Sequence, residues 1–274
     1  MLVRTMTPAD LAACAALTQE VKWPHRLADW QMMLKLGEGL VAERQGNIVG
    51  STLYWRWGAQ RATLGLIIVA GAMRGRGIGS ALLEQALQRL SGMTLHLHAT
   101  AAGAPLYRRF GFVGMDEVIQ YQTPRLIAPS SATAAMPAAT CEDLPALAQL
   151  DYRANGFYRL SLLKQLLAEG ASIIVARQKD LASGFAVTRR FGYGFTIGPV
   201  IAPDAATAQR LITQAMRPLA GEFVRIDSRS QCGLGPWLAR CGLQAVDRPL
   251  RMVRGDEWQP QGITAWSLMS QAMG

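Results

Sequence analysis

Seven consecutive residues, Arg74, Gly75, Arg76, Gly77, Ile78, Gly79 and Ser80, stand between an apolar run ending in Val69 and a helical pattern with Leu82, Leu83, Ala86 and Leu87 on one stripe. Glycines let the backbone approach a ligand closely and point several N–H groups at one spot. The helix that starts there turns its positive dipole end toward the same spot, and two arginines add formal charge. This is chemistry for holding phosphates. Other chemistry-bearing residues are few. Tyr107, in the segment ATAAGAPLYRRFGF, is a phenol that stays protonated at neutral pH and can donate a proton, or it is a core aromatic. His96 and His98 share one face of a strand. Either could take a proton from a substrate, or be a satisfied histidine at a sheet end. Trp23, His25 and Trp30 cluster around a break between two helices, where they could pack a ligand or the core.

Composition bounds the setting. The 274 residues are comfortable for two domains, and 50 % of them are hydrophobic, enough for a sizeable core. The formal net charge of +9 suits an anionic ligand. The basic residues form no dense run, so nucleic-acid binding is a minor expectation. Cysteines at 14, 141, 232 and 241 form no CxxC pair, so neither a metal site nor a disulfide framework is expected. The apolar stretches are strand-sized, and the start of the chain lacks a basic segment followed by a long apolar run. The expectation is a cytoplasmic protein with no membrane contact.

The elements that must position these residues read as α/β. Leu2 to Met6 is a first strand. Thr7-Pro8-Ala9-Asp10 opens a helix reaching about Val21, and Leu27 to Leu36 is a second, stopped by Gly37. Leu40 to Arg44 and Ile48 to Trp57 form a hairpin about Gln45-Gly46-Asn47, and Thr63 to Val69 leads into the phosphate turn. After the helix come a strand at Met93 to His98, a short helix at Ala104 to Phe110 and an extended stretch from Phe112 to Thr123. The strand–turn–helix–strand core places a ligand at the carboxyl end of the Leu64 to Val69 strand.

Arg125 to Thr140, RLIAPSSATAAMPAAT, is rich in Ala, Ser and Pro and reads as a linker, set at 126–137. Beyond it the pattern restarts. Glu142-Asp143-Leu144-Pro145 opens a helix as Pro8 to Leu11 does. Leu160 to Leu167 matches Leu27 to Leu36, Gly194 to Ile201 matches Leu64 to Ala70, and Ala206 to Met216 matches Ser80 to Leu90. LARCGL at 238–243 matches YRRFGF at 107–112. Two copies of one fold are expected, at 1–125 and 138–274. In the second, Ile197 to Asp204 replaces the phosphate turn. Its prolines lack N–H groups, and Asp204 repels an anion. Leu238 replaces Tyr107. Asp151, Tyr152, Arg159, Asp227 and Arg229 could face a ligand from the second copy, or be surface residues.

The turn, the strand before it, the helix after it and the later YRRFGF segment together resemble the GNAT superfamily of acyl-CoA N-acyltransferases, with the whole chain similar to a tandem-repeat type whose second domain is degenerate. The resemblance implies two GNAT-like domains, each a mixed, mostly antiparallel twisted sheet flanked by helices. It implies acetyl-CoA as co-substrate and no metal. Arg74 to Ser80 would cradle the pyrophosphate, and Ile67, Ile68 and Val69 would receive the pantetheine arm and thioester. Thr100 would contact the co-substrate where the family often has asparagine. Tyr107 would protonate the departing thiolate, and His98 would serve as base. Trp23, His25 and Trp30 would line the acceptor site. The acceptor expected is a primary amine of a small molecule, and the chain a monomer or homodimer. A non-catalytic acyl-CoA sensor, or transfer to a protein or RNA-linked amine, are the alternatives.

Overall fold

The computed structural model describes residues 1–127, 129 and 135–274. The first half runs β1 (Leu2–Thr5), α1 (Leu11–Glu20), α2 (Leu27–Leu36), β2 (Glu38–Arg44), β3 (Asn47–Arg56), β4 (Arg61–Val69), α3 (Ile78–Arg89), β5 (Thr94–Ala99), α4 (Ala104–Arg109) and β6 (Val113–Thr123). The second half repeats the order with α5 (Leu144–Asn155), α6 (Leu160–Ala168), β7 (Ser172–Gln178), β8 (Leu181–Phe191), β9 (Gly194–Ala202), α7 (Ala205–Met216), β10 (Val224–Arg229) and α8 (Gly235–Arg240). It closes with β11 (Gln244–Asp247), β12 (Leu250–Arg254) and β13 (Thr264–Ser267). The α/β class and the mixed, mostly antiparallel sheet flanked by helices are as expected.

Local chemistry sets the element ends. The Asp10 carboxylate accepts the Thr7 N–H at 2.8 Å and pairs with Arg4 at 2.7 Å, fixing the entry to α1. Asp29 does the same for α2, accepting the Arg26 N–H at 2.8 Å. These boxes explain why the chain leaves β1 and the Trp23–Arg26 break at defined angles.

The halves do not keep separate sheets. β6 leaves the first half and pairs antiparallel with β10, Val118 opposite Arg229 through Thr123 opposite Val224. β12 crosses the other way, pairing antiparallel with β5 from Leu250–Ala99 to Arg254–Leu95. β6 and β12 also pair with each other, so one continuous sheet runs β1-β2-β3-β4-β5-β12-β6-β10-β9-β8-β7. The expected limits of 1–125 and 138–274 take no account of this crossing, in which the folded halves exchange their last strands. The linker at 126–137 falls partly on 128 and 130–134, outside the described residues. Its flanks are tied to the second half: Leu126 N–H donates to Glu222 O, and Val175 N–H to Pro137 O.

Three apolar cores follow. The largest joins the halves, packing Leu11, Trp30 and Met33 of α1 and α2 with Leu147, Leu162 and Leu166 of α5 and α6. The other two lie on the opposite face, under α3 and α7. A buried ion pair also knits the halves, Asp116 of β6 with Arg229 and Arg251, and within the second half Asp151 pairs with Arg159 at 2.7 Å, both fully buried. Arg159 also donates to the carbonyls of Met273 and Gly274. Asp151, Arg159 and Asp227 are thus buried structural partners rather than surface residues, and Arg229 is partly buried against Asp116.

Candidate active site

A split in the sheet makes the cleft. β4 and β5 pair in parallel over only three residues, Arg61–Thr94, Ala62–Leu95 and Thr63–His96. Beyond Thr63 the edge of β4 facing β5 has no strand partner among the described residues. A bulge drives the divergence. Between the pairs Leu53–Gly65 and Ser51–Ile68, β4 carries one residue more than β3. Leu66 absorbs it with a φ of 54°, a left-handed conformation that is strained for a leucine. Ser51 Oγ donates to the Leu66 carbonyl at 3.1 Å and helps hold it. The extra residue flips the faces of the strand. Ala62 and Leu64 pack under α3, whereas Leu66 and Ile68 pack with α1 and α2.

The cleft so formed has a volume of about 810 Å³. Ile67, Ile68 and Val69 line it on one side and Leu97, His98, Thr100 and Tyr107 on the other. At its outer end stand Arg74, Gly75, Gly77, Ile78, Gly79 and Ser80. Gly75 and Gly77 have φ of 75° and 77°, which a side chain would strain, and a Cβ built at either meets nothing within 4 Å. The open space is therefore a cradle rather than packing, and it opens directly onto the first turn of α3. Glu20 anchors its approach by accepting the Gly71 N–H at 2.6 Å. Arg74 folds back, its Nε donating to the Val69 carbonyl at 3.3 Å. Arg76 is exposed and off the cleft wall. The cation that does reach across is Arg109, which donates to Ser80 Oγ at 3.4 Å and lines the cleft. It was not among the residues expected from the sequence. These features fit a CoA: an anion cradle, a slot between parted strands, and unpartnered strand edge.

Deeper in, a second cavity of about 240 Å³ opens between the halves. Trp23, Gly65, Leu66, His98 and Thr100 line both cavities and mark where they meet. Beyond them the second cavity is walled by His25 and Gln120 from the first half and Phe191, Arg225 and Gln271 from the second. His98 sits at the junction with its Nδ1 2.7 Å from the Gln271 carbonyl. That contact requires Nδ1 to carry the proton, which leaves Nε2 as the acceptor. Nε2 is buried and has no hydrogen-bond partner among the described residues. Burial lowers the imidazole to about 4, against the Gln271 hydrogen bond, so it is neutral at pH 7. Tyr107, 8 % exposed, presents its ring edge to Phe112, and burial pushes its phenol up to about 12.

The remaining residues singled out from the sequence divide. Thr100 lies on both walls, and its Oγ1 accepts the Gly103 N–H at 3.2 Å. His25 faces the second cavity, packed edge-on against Phe191. His96 is turned away: its Nε2 accepts from Arg61 at 3.2 Å and its ring meets Phe157. Trp30 is not brought to the site. It is fully buried in the joint core with Nε1 donating to Thr18 Oγ1, and it lines neither cavity, because the α2 face that carries it turns toward α1 and α6. Gly65, Leu66, Gln120, Arg225 and Gln271 were not anticipated. Only Gly65 left a signal, a glycine inside a strand pattern; its missing side chain admits Ala272, whose Cβ a Cβ at 65 would meet at 2.6 Å.

Among the described residues no group of three His, Cys, Asp or Glu could hold a metal, and no helix is long and apolar enough to cross a membrane.

Comparison with known proteins agrees with this geometry. Models of the acetyltransferase (GNAT) domain match residues 35–114 and 147–264. An uncharacterized N-acetyltransferase of Bacillus subtilis, YitH, is 27 % identical over 222 residues, covering 77 % of this chain and 76 % of its own. A holothin acyltransferase of Pseudoalteromonas is 25 % identical over 253 residues, covering 88 % and 83 %. The fold of a putative acetyltransferase from Pyrococcus horikoshii superposes with a TM-score of 0.85 at 21 % identity, over 100 % of this chain and 95 % of that one. With the parted strands, the glycine cradle and two matched domains together, the chain belongs to the GNAT acetyltransferase family, whose members use acyl-CoA as co-substrate.

Proposed function

We propose that the protein transfers an acetyl group from acetyl-CoA to a primary amine of a small molecule, directly and at one site in its first half. The observation that carries this reading is the position of His98, a neutral imidazole with a bare, buried Nε2 at the junction of the two cavities.

In this reading the backbone of residues 76–80 holds the pyrophosphate, and the parted edge of β4 at Ile67 to Val69 holds the pantetheine and thioester. A neutral amine enters through the second cavity and its nitrogen attacks the thioester carbon. The new C–N bond forms, the C–S bond breaks, and the amine proton passes to His98 Nε2. Tyr107 donates to the departing thiolate. A phenol held near 12 stays protonated in the resting site, as a donor must. The size of the second cavity supports a small acceptor. At about 240 Å³ it lies below the range of about 300–1,000 Å³ usual for drug-sized ligands.

The test is thiol release from acetyl-CoA against a panel of amines, with the wild type and His98→Gln. Amine-dependent release that falls by roughly 10²-fold in the variant, with unchanged acetyl-CoA affinity, is the expected result. Tight acetyl-CoA binding with no amine-dependent release would indicate a sensor instead.

A further inference from the structure

The end of the acceptor cavity remote from the thioester has a composition of its own. Two guanidiniums lie over the Phe191 ring, Arg189 at 4.9 Å and Arg225 at 5.5 Å from its centre. Arg225 is 7 % exposed and lines the cavity. Its Nε and Nη2 are both used on Asp227, at 3.0 and 2.7 Å, whereas Nη1 has no hydrogen-bond partner among the described residues. His25 on the same wall also has a buried, unpartnered Nδ1, and burial keeps its ring neutral. The charged side chains that line this cavity are Lys22, Arg225 and Asp247, and Arg225 is paired with Asp227. A second ammonium placed at Arg225 would meet a like charge after losing its water. An oxygen acceptor would complete the fork of Arg225.

From the unpaired Arg225 Nη1 on the cavity wall, we infer that the acceptor is a small monoamine that carries a carbonyl or carboxylate oxygen at the end remote from its amine. This rests on the acyl-transfer reading above and narrows it: polyamines and other molecules with several ammonium groups are excluded as good acceptors.

Four probes on one aromatic scaffold separate the cases: 4-aminobenzamide, 4-aminobenzoate, aniline and 4-aminobenzylamine. Each is titrated into the protein–CoA complex and assayed for thiol release from acetyl-CoA. The first two are expected to exceed aniline and 4-aminobenzylamine in kcat/KM by tenfold or more. Arg225→Lys, which keeps a cation for Asp227 but removes the free Nη1, brings that preference to within about twofold of unity. Lys22→Ala lowers the rate with the benzoate alone, which distinguishes carboxylate from carbonyl recognition without disturbing the core. Equal rates for aniline, a preference for 4-aminobenzylamine, or acetyl-CoA binding without turnover of any probe would overturn the inference while leaving the co-substrate site intact. Failure to bind acetyl-CoA at all would instead remove the reading on which it rests.

Discussion

The two halves use one sheet plan and end with opposite clefts. In the first, β4 and β5 pair over three residues and then part around open space. In the second, β9 and β10 pair at only two positions, Phe195–Val224 and Thr196–Arg225, and also part. There the gap is filled. β13 pairs with β9 from Thr264–Ala202 to Ser267–Val200. Leu268 N–H then donates to the Asp227 carbonyl of β10 at 2.8 Å. Ser267 Oγ donates to Ile197 O, and Ser228 Oγ to Trp266 O. Gly198 has no room for a Cβ, which would collide with the Leu268 carbonyl. The helix that follows differs too. α3 begins at an open glycine, whereas α7 begins at Asp204, whose carboxylate accepts the Thr207 N–H at 2.7 Å. An internal carboxylate occupies the helix end where the first half leaves room for a phosphate. The lesson is that a parted sheet is a binding cleft only while nothing in the chain pairs with its exposed edges.

That contrast can be broken at matched positions. The largest effect is expected at the cradle. Gly77→Val places a β-branched residue at a φ of 77° and should abolish acetyl-CoA binding in calorimetry. Pro203→Ala, one residue before the corresponding helix N-cap in the second half, should leave affinity unchanged. Next come the paired positions Tyr107 and Leu238. Tyr107→Phe should lower thiol release by about 10²-fold with CoA affinity intact. Leu238, the fully buried residue of α8, should show the reverse: Leu238→Ala should cost about 2–5 kcal/mol in denaturant melts.

The pH dependence of stability tests how the halves are joined. Each of the three histidines packs on a residue of the second half: His25 on Phe191, His96 on Phe157, His98 on the Gln271 carbonyl. Burial lowers all three, to about 4, about 3 and about 4. The unfolded chain therefore binds more protons than the folded one below about 6.5, so stability falls as pH drops from 7 toward 4. The ceiling is about 2 kcal/mol per histidine at pH 5. Urea midpoints at pH 7 and pH 5 check the sign; equal midpoints would mean that these rings are not held neutral. The smallest effect is at Asp204. Asp204→Ala should cost about 1 kcal/mol of stability and leave acetyl-CoA affinity unchanged.

Much of the first half was legible because its signals are local. The Arg74–Ser80 turn, the helix start at Thr7–Asp10 and the YRRFGF segment each depend on neighbours in sequence. The repeat was legible for the same reason, element by element. What escaped was set by pairing at long range. β6 and β12 carry similar extended patterns, and nothing in either says which β5-like strand it will join. The bulge at Leu66 leaves no glycine to mark its positive φ. The segment of β13 and Gln271 has no counterpart in the first half, so the repeat gave no reason to place it at both clefts. Trp30 shows the converse: an aromatic beside a helix break has the same appearance in the sequence whether it faces a ligand or the core.

The central claim is one working cleft per chain. Calorimetric titration of the intact protein with acetyl-CoA measures it directly. The account predicts a stoichiometry of one, reduced to none by Gly77→Val. A stoichiometry of two, or binding that survives Gly77→Val, would contradict it.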